Sequence, residues 1–159
     1  MHLVIDIGNT SAKIAVFSQG EMRYVVRCSN QSLEGLDELC QQYPIQKGIW
    51  ASVISISEEI QQQLQQLPFP MTEFTYQTPI PIRNLYQTPQ TLGVDRLAAV
   101  IAAYTQKPHH PALVIDAGTC ITYDFIDEFG QYQGGNISPG MEMRFKALHE
   151  FTSKLPQIQ

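Results

Sequence analysis

Two stretches of the chain place an aspartate and a glycine at the end of an apolar run. Residues 3–8 read LVIDIG and residues 113–118 read LVIDAG, and a threonine follows each of them closely. A carboxylate at a strand end can bind a cation, and a nearby glycine lets backbone N–H groups approach a phosphate. Asp6 and Asp116 are therefore candidate cation ligands in a duplicated fold that binds a nucleotide. Two unrelated hairpins are the alternative, because aspartate and glycine are common in turns.

The first of these turns carries further groups that suit a phosphate. Gly8 permits close approach of the backbone, and the side chains of Asn9 and Thr10 offer hydrogen bonds. Lys13 adds a positive charge. The Walker pattern of phosphate-binding loops, GxxxxGK[ST], does not occur in the sequence. A plain hairpin with Lys13 in solvent is the competing interpretation.

A second candidate segment, Gly93-Val94-Asp95-Arg96, places two charged residues at the start of an alanine-rich predicted helix. A carboxylate can accept a proton from a substrate hydroxyl, and a guanidinium can bind a carboxylate through two hydrogen bonds. Adjacent residues on a helix do not face one another, so Asp95 and Arg96 are not expected to pair. Separate chemical tasks follow for the two side chains. The alternative is that Asp95 only stabilises the helix start through the helix dipole.

A third segment, residues 134–140, reads GGNISPG and predicts a strand that ends at a helix N-terminus. Such a terminus presents free N–H donors and the positive end of a dipole to an anion. A well-capped connector is the alternative interpretation.

The elements that must position these groups follow from apolar periodicity and turn residues. Strands are predicted near 2–7, 12–18, 22–28, 47–53, 112–116, 121–127 and 131–136. Helices are predicted near 31–42, 58–67 and 91–105, and after Ser138, with Pro139 at the first helical position. We predict a first lobe over 1–77, a proline-rich substrate loop and linking helix over 78–111, and a second lobe over 112–159. The second lobe is expected to be incomplete, since it has fewer strand–helix pairs than the first.

Composition excludes several classes of partner. The chain has 159 residues, of which 43% are hydrophobic, and a net charge of −5. Its ten lysines and arginines form no basic run, which disfavours nucleic acid. No apolar segment approaches the ~18 residues that a membrane-spanning helix needs. Three cysteines without CxxC spacing indicate reduced thiols and a cytoplasmic location.

Four motifs in order make the chain resemble the type III pantothenate kinase family, a branch of the acetate kinase, sugar kinase, heat-shock and actin-like ATPase superfamily. They are the two phosphate motifs DIGNT (6–10) and DAGT (116–119), the G-x-D-R motif GVDR (93–96), and GGNISPG (134–140). The resemblance implies an α/β fold of duplicated ribonuclease H-like lobes with mixed sheets. It also implies ATP-dependent phosphorylation of pantothenate, the first step towards coenzyme A, by a homodimer.

The same resemblance implies a role for each matching residue. Asp95 would be the base for the pantothenate hydroxyl, and Tyr86 would line the pantothenate site together with Gly93, Val94 and Arg96. The ATP phosphates would contact Thr119 and the first turn, which consists of Asp6, Ile7, Gly8, Asn9, Thr10, Ser11, Ala12 and Lys13. Asp116 would bind a monovalent cation, potassium or ammonium, and Mg²⁺ would accompany the nucleotide, with Asp6 as its candidate ligand.

Two other functions are compatible with these residues. Relatives of the family act as accessory factors for transcription, so a ligand-binding role without turnover is one alternative. A kinase of the same superfamily that acts on a sugar or a short carboxylic acid is the other. Members of the family that the chain resembles continue well past residue 159. The resemblance therefore does not decide whether these 159 residues are active on their own.

Overall fold

The computed structural model describes residues 1–158 and divides them into two compact units. The first consists of residues 1–78 together with Gly93–Asp95. The second consists of residues 79–92 and the chain from Arg96 onward. Each unit contains one β-sheet with parallel and antiparallel neighbours, so the α/β class with mixed sheets is confirmed.

The sheet of the first unit has five strands in the order β3-β2-β1-β4-β5. Their bounds are β1 His2–Ile7, β2 Ala12–Ser18, β3 Glu21–Cys28, β4 Lys47–Ser52 and β5 Met71–Glu73. The first three strands form an antiparallel meander, whereas β4 and β5 add to it in parallel. Parallel neighbours need a crossover connection, and helices supply it here.

Two helices cover the core of this unit, α1 (Leu36–Gln42) and α2 (Glu58–Gln65). Side chains alternate along β1, so that Leu3, Ile5 and Ile7 are at most 1% exposed. They pack with the apolar residues that the helices turn inward, which are Leu36, Leu39, Ile60 and Leu64. Ser57 caps α2, because its hydroxyl accepts a hydrogen bond from the N–H of Ile60.

The sheet of the second unit has four strands in the order β6-β9-β8-β7. Their bounds are β6 Arg83–Asn84, β7 Ala112–Ala117, β8 Cys120–Ile126 and β9 Gln131–Pro139. Strands β7, β8 and β9 repeat the antiparallel meander of β1, β2 and β3. Within residues 1–158, no strand pairs with the outer edge of β7, the place that β4 takes beside β1. The helices α3 (Val94–Gln106) and α4 (Met141–Glu150) complete the elements.

The predicted strands are all present, but three helices begin later than their sequences indicate. α3 starts at Val94 and not near 91, because residues 89–91 form a separate 3-10 helix. α1 starts at Leu36 because Leu33 and Gly35 have φ values of 43° and 83°, a left-handed backbone that no α-helix can contain. α4 starts at Met141, so the prediction of Pro139 at the first helical position is wrong. Pro139 is the last residue of β9, opposite Cys120, and Gly140 is the N-cap.

The proline-rich segment is extended and contributes a short strand that the sequence does not predict. The N–H of Arg83 donates to the carbonyl of Gly130 at 2.8 Å, and the N–H of Leu85 donates to Tyr132 at 2.9 Å. These two bonds make β6 a parallel neighbour of β9. They also fix the chain just before Tyr86.

Candidate functional site

The first Asp-x-Gly turn is a tight hairpin between β1 and β2. The N–H of Gly8 donates to the carbonyl of Ser11 at 3.0 Å and closes the turn. A Cβ on residue 8 would lie 3.2 Å from that carbonyl oxygen, closer than nearly all real contacts, so glycine fits best here. Asn9 and Thr10 are exposed at the tip, where they are accessible to a ligand.

Asn30 holds this turn from outside, a role that its sequence position does not predict. Its side-chain amide donates to the carbonyls of Gly8 at 2.9 Å and of Asn9 at 3.0 Å. As an asparagine after a strand it suggests a helix start, yet the helix begins only at Leu36. Asn30 therefore positions the backbone of the predicted phosphate motif.

Asp6 and Lys13 face each other across the two strands of the hairpin. The ammonium of Lys13 lies 3.6 Å from a carboxylate oxygen of Asp6, and the two side chains are 55% and 44% exposed. The Asp6 carboxylate is open to solvent on one side. Mg²⁺ in nucleotide sites is usually held by one or two carboxylates together with phosphate oxygens and water, so a single aspartate suits it. Among residues 1–158, no cluster of three metal-binding side chains is formed.

The second Asp-x-Gly turn packs directly against the end of β9. This contact brings the motifs DAGT (116–119) and GGNISPG (134–140) together. The N–H of Gly118 donates to Cys120 at 2.9 Å, and the N–H of Gly140 donates to the carbonyl of Thr119 at 2.9 Å. A Cβ at Gly140 would overlap the carbonyl oxygens of Gly118 and Thr119. Glycine at position 140 therefore lets the helix start approach the turn. Asp116 is exposed beside it.

The start of α4 is held by an arginine as well as by this contact. The guanidinium of Arg144 donates to the carbonyl of Pro139 at 2.8 Å and to the hydroxyl of Ser138 at 3.3 Å. These bonds join the end of β9 to the second turn of α4.

The two charged residues of the G-x-D-R motif lie in opposite environments. Asp95 is exposed in the first turn of α3, whereas Arg96 is buried beside Asp124 of β8. Nε of Arg96 lies 3.0 Å from Oδ2 of Asp124, and a terminal guanidinium nitrogen lies 2.6 Å from Oδ1. Arg96 thus binds a carboxylate in the two-pronged way expected of it, and that carboxylate belongs to the protein.

Tyr132 completes this buried group. Its hydroxyl donates to Oδ1 of Asp124 at 2.6 Å, and its side chain is fully buried. The hydrogen bond to Asp124 raises the pKa of the Arg96 guanidinium above its ordinary value, against the opposing effect of burial. Burial and then the hydrogen bond to Asp124 raise the pKa of Tyr132 well above its ordinary value. Arg96 is therefore charged and Tyr132 neutral at physiological pH.

Tyr86 covers the buried group, and Gly134 makes room for its ring. Its ring stacks on Tyr132 with centroids 6.3 Å apart and planes within 7°, and Cζ of Arg96 lies 5.9 Å from the Tyr86 centroid. A Cβ at Gly134, whose φ is 101°, would lie 3.2 Å from the Tyr86 ring. A Cβ at Gly135 would overlap the carbonyl oxygen of Tyr123.

Sequence reasoning missed Asp124 and Tyr132. The only signal was a lone carboxylate in the middle of the apolar strand 121–126, because a charge at such a place requires a partner. The structure thus joins Tyr86 and Arg96 with the glycines of the fourth motif through two residues that belong to no motif.

A sequence profile of type III pantothenate kinases matches residues 2–159 of this chain. The chain belongs to the type III pantothenate kinase family. The type III pantothenate kinase of Phocaeicola vulgatus is 61% identical to it over 158 residues, and that of Bacteroides fragilis ATCC 25285 is 55% identical over 158 residues. Both alignments cover 99% of this chain and 65% of the relative, so the chain spans about two-thirds of the length of these family members.

Among solved structures, the PPX-GPPA enzyme of Aquifex aeolicus superposes with a TM-score of 0.46 at 15% identity, covering 99% of this chain and 57% of that one. No helix in residues 1–158 has the length and apolar character to cross a membrane.

Proposed function

We propose that this member of the type III pantothenate kinase family phosphorylates pantothenate with ATP, the first step of coenzyme A biosynthesis. The observation that carries the proposal is the exposed Asp95 carboxylate at the start of α3, within a G-x-D-R motif in a chain matched over residues 2–159 by the family. An exposed carboxylate at a helix start is accessible to a substrate hydroxyl. Arg96, the other charged residue of the motif, is buried.

The pantothenate side of the reaction is assigned to the segment around α3. Asp95 is the proposed base, which accepts the proton of the pantothenate hydroxyl as the hydroxyl oxygen bonds to the γ-phosphorus and ADP leaves. Tyr86, Gly93, Val94 and Arg96 are proposed to line the pantothenate site. The half-buried position of Tyr86 leaves part of its ring available for this contact.

The ATP side is assigned to the Asp-x-Gly turns. We propose that the turn formed by Asp6, Ile7, Gly8, Asn9, Thr10, Ser11, Ala12 and Lys13 binds ATP phosphates, and that Thr119 contacts a phosphate. The glycine backbone of the first turn, braced by Asn30, supports this role because backbone donors bind phosphate oxygens without bulky side chains in the way.

Two cations are proposed to neutralise charge on the transferring group. The half-buried Asp6 carboxylate suits Mg²⁺ bound to the nucleotide, and the exposed Asp116 carboxylate suits a monovalent cation, potassium or ammonium. Phosphoryl transfer needs mainly positioning and charge neutralisation, so no covalent protein intermediate is required.

The test is pantothenate-dependent ADP formation by this chain, with potassium and then sodium as the only monovalent cation. We expect turnover that requires pantothenate and is faster in potassium. Asp95→Asn should lower kcat by roughly 10²- to 10⁴-fold, the usual contribution of a general base. Asp37→Asn is the matched control, because Asp37 is an exposed aspartate in the first turn of α1.

Three outcomes would contradict the proposal. Absence of pantothenate-dependent ADP formation in both salts would overturn it for this chain. Turnover that survives Asp95→Asn would remove Asp95 as the base. Equal rates in potassium and sodium would contradict the proposed role of potassium as the monovalent cation.

We also propose that the chain forms a homodimer in the cytoplasm, as the family resemblance implies. The three cysteines are free thiols, which supports a reducing compartment. Light scattering after size-exclusion chromatography would measure the mass, and a value near 17.9 kDa would contradict the dimer.

A further inference from the structure

The guanidinium of Arg96 is enclosed within the protein. Its side chain is 7% exposed and that of Asp124 is 2% exposed, and the shortest distance between their charged atoms is 2.6 Å. Two further bonds from Nε reach the oxygens of Asp124 at 3.0 and 3.2 Å. A planar guanidinium that meets a carboxylate edge to edge is fixed in position and in orientation.

The carboxylate is fixed in turn by two residues of β9. Tyr132 of β9 donates its hydroxyl to Oδ1 of Asp124 at 2.6 Å. A Cβ at Gly135 would lie 2.6 Å from the same oxygen, so the strand beside Asp124 approaches it closely only because residue 135 is glycine. The positive and negative charges balance, and the hydroxyl is neutral, so the buried group carries no net charge.

This arrangement constrains the first turn of α3. Asp95 and Arg96 are adjacent in that turn, and adjacent helical side chains point in directions about 100° apart. With Arg96 bound to β8 and β9 through Asp124 and Tyr132, the helix can neither rotate about its axis nor slide without breaking that pairing. The Asp95 carboxylate then stays exposed to solvent in one fixed position.

We propose that Asp124 and Tyr132 are positioning residues, which hold Asp95 for catalysis through the guanidinium of Arg96. The inference deepens the proposed function and rests on it for the role of Asp95. Asp124 and Tyr132 become part of the machinery although they touch no substrate. Tyr86, which lies over Arg96 and Tyr132, closes the group on its open side.

The first test measures the helix directly and does not depend on turnover. Hydrogen exchange is followed at the amides of residues 98–101, whose acceptors are the carbonyls of the first turn. Asp124→Asn should accelerate their exchange on the order of tenfold, while the strands β1 to β3 keep the rates of the unmodified chain. Glu128→Gln, an equal charge change at an exposed residue of the same unit, should accelerate nothing.

The second test measures catalysis as a cycle of two substitutions. Asp124→Asn should lower kcat by roughly 10- to 100-fold, as expected for a displaced base, with the KM for pantothenate within about twofold. In a chain that already carries Asp95→Asn, the same change should have no further effect on kcat. A general loss of folded protein would instead lower the rate by the same factor in both backgrounds. Tyr132→Phe, which keeps the volume, should act in the same direction with a smaller effect.

Several results would overturn the inference. Unchanged exchange at residues 98–101 in Asp124→Asn would show that the buried pair does not hold the helix. A large rise in KM with an unchanged kcat in Asp124→Asn would show that the buried pair serves substrate binding and does not position the base. If Asp124→Asn lowers kcat by the same factor in the unmodified chain and in Asp95→Asn, then Asp124 only stabilises the fold. If the unmodified chain shows no turnover, the proposed function fails and the exchange measurement still decides whether the pair positions the helix.

Discussion

Tyr132 shows at the scale of a single residue how a buried polar group links stability to pH. Its phenol is fully buried and donates to Asp124, and burial is the larger cause of its raised pKa. Because the folded pKa lies above the unfolded value of about 10, the native state holds this proton more tightly. The stability that Tyr132 contributes is therefore complete below about pH 10 and is lost as the pH rises towards the folded pKa.

We predict that Tyr132→Phe lowers the free energy of unfolding by about 1 kcal/mol at pH 8, the net contribution of one hydrogen bond. Above pH 10 the difference from the unmodified chain should shrink by up to ~1.4 kcal/mol per pH unit, since only the tyrosine loses its proton. Urea unfolding between pH 8 and 11 measures both quantities. Tyr76→Phe is the control, because Tyr76 is 46% exposed. A difference that stays constant across this range would contradict the prediction.

Arg96 also shows which part of a residue's role a sequence can give. Helical geometry disfavours a pairing of Arg96 with Asp95, because neighbouring positions diverge, but it does not say which residue Arg96 contacts instead. Arg96 binds Asp124, 28 positions away on a strand, and no local pattern specifies a contact at that separation. Asn30 is a similar case, since its amide bonds join it to residues 21 and 22 positions earlier.

Glycines of the fourth motif act at the scale of elements, because they set how closely strands and turns approach. A Cβ at Gly135 would overlap the backbone of Tyr123, the residue next to its partner on β8, and would crowd Asp124. Gly118 differs, since the nearest atom to a Cβ there is 3.9 Å away. Neither glycine has a positive φ, so space alone distinguishes them.

We predict that Gly135→Ala lowers the free energy of unfolding by roughly 3 kcal/mol, the cost of overpacking against a strand that cannot move aside freely. Gly118→Ala should change it by no more than about 0.5 kcal/mol. Denaturant unfolding of both variants in the same buffer measures the contrast. Equal losses in the two variants would show that backbone flexibility rather than close approach sets the need for glycine.

The elements themselves were predictable where apolar alternation extends over a whole strand, and less so where backbone geometry intervenes. The seven predicted strands are present, and α2 begins at Glu58, where the predicted helix over 58–67 begins. The left-handed backbone at Leu33 and Gly35 delays α1, and such a conformation at a leucine has no signal in the sequence. β6 consists of Arg83–Asn84 alone, too short to show any periodicity.

At the scale of the whole molecule, the sequence repeat predicted the two meanders but could not predict how differently their faces are covered. Leu3 and Ile5 on β1 are 0% and 1% exposed, whereas Leu113 and Ile115, at the matching places of β7, are 61% and 57% exposed. Phe125, which pairs with Leu113 across the strands, is 41% exposed. Identical residues thus form a core in one unit and an apolar surface in the other.

We predict that this surface binds the dye ANS, and that Leu113→Thr with Ile115→Thr abolishes most of the fluorescence, because exposed contiguous apolar area is what such dyes report. Threonine keeps a β-branched shape, and little apolar area is buried at these positions, so the free energy of unfolding should change by less than about 1 kcal/mol.

The matched pair Leu3→Thr with Ile5→Thr should instead cost roughly 2–5 kcal/mol per residue, since a buried side chain is truncated and an unpaired hydroxyl is left in the core. Fluorescence titration and urea unfolding of both double variants measure the two effects. If both pairs destabilise the chain equally, the face of β7 is buried in solution, and if the dye signal persists after the β7 substitutions, another apolar surface binds it.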